Sequence, residues 1–77
     1  MQLSDLIELK DGFFKPVFSK LDGFVSVGVL VRGKERGIYV IMKSDDAMAR
    51  KAIQNAMVPY PELHCAYLLA GSVERYS

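Results

Sequence analysis

The sequence predicts an α+β domain of order α-β-β-β-α-β, an antiparallel sheet with its helices mainly on one face. Three observations carry this. Val25, Val27, Val29 and Val31 recur with period two, which sets all four on one face of a strand. A glycine-bearing link, RGKERG, joins that run to a second apolar one, IYVIMK. An amphipathic stretch, SDDAMARKAIQNAM, follows directly.

The chain opens on LSDLIELKD, which reads as a short helix over residues 3–11. Ser4 is placed to cap it, Leu3, Leu6 and Ile7 make a small stripe, and Gly12 suits the position past its end. Residues 13–20, FFKPVFSK, read as extended, and Pro16 assigns them to a sheet edge because it lacks a ladder donor. Leu21-Asp22-Gly23 is a turn.

In the hairpin, valine's stiff χ1 suits a pleated surface. Phe24, Ser26, Gly28 and Leu30 occupy the face opposite the valines. The RGKERG link reads as a loop of four to six residues, longer than the tightest hairpin turn. In the second strand Ile38, Val40 and Met42 form one apolar face, while Tyr39 and Ile41 make the other apolar too. A strand with one solvated face alternates apolar with polar residues, so this one expects cover on both sides.

The helix that follows has Ser44 or Asp45 as its cap, and acids where the dipole favours them. Met48, Ala49, Ala52, Ile53, Ala56 and Met57 form its apolar stripe. Pro59 stops it, and Pro59-Tyr60-Pro61 makes a rigid bend. Residues 63–70, LHCAYLLA, read as a last strand, with Gly71 as a kink and VERY as its continuation.

Seventy-seven residues make one domain, and 51% apolar content supplies a core. A formal net charge of +1 provides no global field toward nucleic acid or membrane. One cysteine allows no internal disulfide. No apolar run has the ~20 residues that span a bilayer, and MQLSDLIELK lacks the basic start of a signal peptide. The expectation is a soluble, cytoplasmic protein.

The chemistry-bearing residues are few. His64 and Cys65 are neighbours, so on a strand they point to opposite faces and neither share a metal nor form a nucleophile–base pair. Asp45 and Asp46 stand where acids act as helix caps. The glycines at 28, 33 and 37 fit neither a dinucleotide nor a Walker spacing. No enzyme, metal or cofactor is expected. Arg32, Lys34 and Arg36 crowd the hairpin link and form a basic tip for phosphates or an acidic protein surface.

Val27-x-Val29-x-Val31-x-Gly33-Lys34-x-x-Gly37, followed by Ala49-Arg50-x-Ala52, resembles the second half of a double-stranded-RNA-binding domain. The likeness covers about 30 residues and implies that family's α-β-β-β-α order and duplex binding. The family carries a lysine pair just before the alanine that Ala49 matches, to grip phosphates. Asp46 and Ala47 stand there in this chain, and Arg50 alone is a basic match. Acids at that grip repel phosphate.

The apolar inventory of Phe13, Phe14, Phe18, Phe24, Leu30, Tyr39, Ile41, Tyr60 and Tyr67 exceeds what so small a body buries easily. Excess apolar surface marks an interface. The expectation is a non-enzymatic module that binds another protein or a nucleoprotein complex, with Arg32, Lys34, Arg36, Tyr39 and Ile41 as its contacts. In size and style it resembles the small inhibitors that phages and mobile elements direct against host defence complexes, such as anti-CRISPR proteins. The alternatives are a double-stranded nucleic-acid binder and a homodimeric structural subunit.

Overall fold

In a computed structural model of the chain, residues 2–70 are described. The order is α1 (Leu3–Leu9), a π-helical segment (Lys10–Phe14), α2 (Lys15–Phe18), β1 (Phe24–Arg32), β2 (Glu35–Met42), α3 (Ala47–Met57) and β3 (His64–Leu69). The α+β class holds. The observed sheet has three strands in the order β1-β2-β3.

The stretch expected to be an extended edge, residues 13–20, is helical. Local pattern loses here to tertiary packing. In a regular α-helix, Phe13 and Val17 would fall below Leu6, seven and eleven residues on. The wide π turn inserts one residue and re-phases the run, so Leu6, Phe14 and Phe18 share the buried side. Phe13 and Val17 remain exposed. Pro16 follows directly on the wide turn, inside a helical run that is continuous through Phe14 and Lys15, so the irregular bonding of that turn, and not a free helix end, accommodates its missing N–H. Gly12 lies inside the π segment rather than ending a helix. Gln2, not Ser4, occupies the N-cap position of α1.

β1 and β2 form an antiparallel hairpin in which Arg32 pairs with Glu35. The connection is therefore the two residues Gly33 and Lys34, shorter than the loop expected from RGKERG. Gly33 has φ +62°, which a II′-type turn requires at its first central residue. A bulge between Phe24 and Ser26 brings Phe24 into register with Met42 and onto the core. Phe24 thus leaves the face expected for it.

β3 pairs with β2 in parallel, Gly37 beside His64 through Met42 beside Leu69, so the sheet is mixed rather than antiparallel. The cause is the single helix between them. α3 has 11 residues, about 16 Å of rise, and together with the connecting residues 43–46 and 58–63 it carries the chain back along β2, about 26 Å long, to that strand's starting end. Asp46, rather than Ser44 or Asp45, caps α3: its Oδ1 accepts the Met48 N–H at 2.9 Å.

The core is Leu6, Phe14, Phe18, Ile38, Val40, Met42, Ala49, Ile53 and Leu63. Phe14 stacks on Phe18 at 5.6 Å and meets Tyr60 edge-on at 5.6 Å, tying the bend after α3 to the N-terminal helical run. Met48 leaves the expected stripe and is 82% exposed. The expected kink at Gly71 and the VERY continuation lie outside the described residues. Among the described residues, no helix is long and apolar enough to cross a membrane.

Candidate functional site: the open sheet face

Period two and the strand registers sort every sheet residue. Ile38, Val40 and Met42 face the helices, joined by Phe24, Val27 and Val29 from β1 and by Tyr67 and Leu69 from β3. The reverse side takes Ser26, Gly28 and Leu30 from β1, Gly37, Tyr39 and Ile41 from β2, and His64, Ala66 and Leu68 from β3. None of these nine belongs to the buried hydrophobic cluster, and Tyr39, Ile41 and Ala66 are not among the partly buried residues packed against it. Both helical regions lie on the other side, so among the described residues this face has no cover. Leu30 is 37% and Leu68 39% exposed, while Tyr39 and Ile41 are half-buried.

Local packing shapes the face. A Cβ at Gly28 would collide with the Tyr39 ring, so glycine lets the ring lie flat across β1. A Cβ at Gly37 would collide with the His64 backbone, so glycine permits the close approach of β3. The centre of the face carries no charge. Its charged groups gather at the hairpin end: Arg32 and Glu35 are paired across strands, and His64 Nε2 lies 3.8 Å from a Glu35 carboxylate oxygen.

The five expected contact residues do not form one cluster. Tyr39, Ile41 and Arg32 share the open face, and Lys34 sits exposed at the turn. Arg36 lies opposite Val31, on the helix side. Its Nη1 donates to the Gly33 and Glu35 carbonyls at 3.0 and 3.1 Å, and its Nε is buried without a hydrogen-bond partner among the described residues. The basic tip is therefore split between two faces. Leu68 and Ala66 belong to the open face and were not expected there. The alternation His64, Ala66, Leu68 is the signal that finds them.

A concavity of about 560 Å3 lies between α3 and β3, lined by Ile53, Met57, Tyr60, Leu63, Cys65 and Tyr67 among others. Arg50 and Tyr67, which also line it, belong to a side-chain cluster. Arg50 Cζ lies 4.3 Å from the Tyr67 ring centroid, and Arg50 Nε donates to Asp45 Oδ1 at 2.6 Å. The Asp45 carboxylate holds the exposed guanidinium above its ordinary range. The Tyr67 hydroxyl donates to the Ser44 carbonyl at 3.3 Å. These contacts fasten the start of α3 onto β3. Cys65 is exposed as a residue, yet desolvation by its neighbours pushes its thiol upward, toward the less reactive form. Among the described residues no group of His, Cys, Asp and Glu side chains could hold a metal ion.

No family model, no curated protein and no solved structure matches this chain.

Proposed function

We propose that this protein is a binding module that acts by covering part of a partner protein's surface, as an occluding inhibitor or an adaptor does. The observation that carries the reading is the uncovered apolar face of Leu30, Tyr39, Ile41 and Leu68 behind a fully packed core. The partner's matching chemistry is an apolar surface with acidic residues at one rim, because Arg32 and the exposed Lys34 flank the hairpin end. Size supports contacts beyond the face. Three strands about 4.8 Å apart, with about 3.3 Å of rise per residue, give roughly 300 Å2 over the six paired positions of β2 and β3. A standard interface takes about 800 Å2 from each side. The hairpin tip is the adjoining surface.

The test is capture from the native host with the double variant Tyr39→Glu/Ile41→Glu beside the wild type. An unpaired carboxylate buried in an apolar interface costs about 3 kcal/mol or more, so binding falls by about two orders of magnitude. Met48→Glu, on the exposed side of α3, retains capture. Wild-type binding persists in added salt. Capture that salt abolishes and nuclease removes would instead indicate the duplex nucleic-acid reading.

A further inference from the structure

We propose that the outer edge of β1 pairs with β1 of a second copy of this chain, antiparallel about a two-fold axis near Gly28, to give a continuous six-stranded sheet. Strand order places β1 at an edge, with β2 on its inner side only. Beyond that ladder, no backbone hydrogen bond from Val25–Arg32 to another described residue is formed. Proteins blunt such edges with charge, proline, bulges or short length. β1 is nine residues long, and Ser26 to Val31 carries no charge and no proline. Its one bulge lies at the start, between Phe24 and Ser26. An uncharged, valine-rich edge of this length is a template for another strand.

The exposure pattern favours self-pairing centred on Gly28. Val27 and Val29 pack on the core, but Val31 and the bulge residue Val25, three residues to either side of Gly28, are 49% and 45% exposed. The two-fold sets Val25 of each copy opposite Val31 of the other, so the pairing covers both exposed valines twice. Val27 meets Val29, and Ser26 meets Leu30. Charges agree as well. The strand's one charge, Arg32, falls at opposite ends of the new ladder in the two copies. The dimer also sets the two open faces side by side, doubling the apolar surface to roughly 600 Å2 by the same strand spacings.

Mass in solution, measured over a range of concentrations, tests this. The wild type is expected to show twice the chain's mass at high concentration, falling on dilution. Val25→Lys/Val31→Lys places like charges opposite one another in both valine pairs and should weaken dimerisation by about tenfold or more. Both sites are exposed in the single chain, so its circular dichroism should match the wild type. Val25→Glu/Val31→Lys sets opposite charges in the same pairs and should restore the dimer. Ile41→Glu/Leu68→Glu, on the two strands away from the seam, should keep the dimeric mass, which separates this proposal from the binding role of the open face. A wild type monomeric at every accessible concentration overturns the proposal. So does a Val25→Lys/Val31→Lys chain that dimerises as the wild type does, or a charge-swapped chain that stays monomeric.

Discussion

Phe14→Ala is expected to destabilise the chain by about 3–5 kcal/mol, as truncation of a fully buried phenylalanine does in other cores. The side chain is wholly inaccessible and lies between Phe18 and Tyr60. Both neighbours lose a ring contact, and the bend after α3 loses its anchor on the N-terminal run. A domain of 77 residues has roughly 4–12 kcal/mol in total at the usual stability per residue. The variant should therefore unfold at a much lower denaturant concentration, or show no cooperative transition at all. Phe13→Ala is the comparison, because the adjacent ring is exposed and its loss should cost far less. Equal effects of the two would mean that the π turn does not re-phase the helix.

Gly37→Ala should have the second large effect, of about 3 kcal/mol, at the upper end of overpacking costs. The added Cβ meets the backbone of His64, which belongs to a paired strand and cannot rotate aside as a side chain can. β3 must move away from β2 at its first pair. Amide hydrogen exchange should quicken across Cys65–Leu69 while the β1–β2 hairpin stays protected. Gly12→Ala gives the contrast. A Cβ there meets nothing within 4 Å and the φ is not positive, so stability should hold or rise slightly. If Gly37→Ala leaves exchange in β3 unchanged, the parallel β2–β3 pairing is wrong.

The hairpin and α3 were legible because each is specified locally. Alternating valines, two apolar runs, a helix stripe and its proline stop all act within a few residues. The opening helix over Leu3–Leu9 was legible in the same way. Residues 13–20 were not, because Pro16 suggests an extended edge and α-helical spacing points Phe13 and Val17 inward, and only the packing of Phe14 and Phe18 requires the wider turn. β3's direction was hidden for a similar reason. Its residues alternate equally well either way, and the reach of α3 decides. In the candidate site, Tyr39 and Ile41 were placed on a second apolar face by period two. The same rule assigns Arg36 to the side of Ile38 and Val40, away from Arg32, and so divides the basic tip.

A binding role for the open sheet face requires Ile41 and its neighbours to lie outside the packed interior. Paramagnetic broadening of side-chain methyl signals by a soluble nitroxide measures that directly in the isolated protein. The methyls of Ile41, Leu30 and Leu68 should broaden strongly, while those of Ile38 and Ile53 stay sharp. If Ile41 is protected as fully as Ile38, the chain covers its own second sheet face, and no surface remains there for a partner.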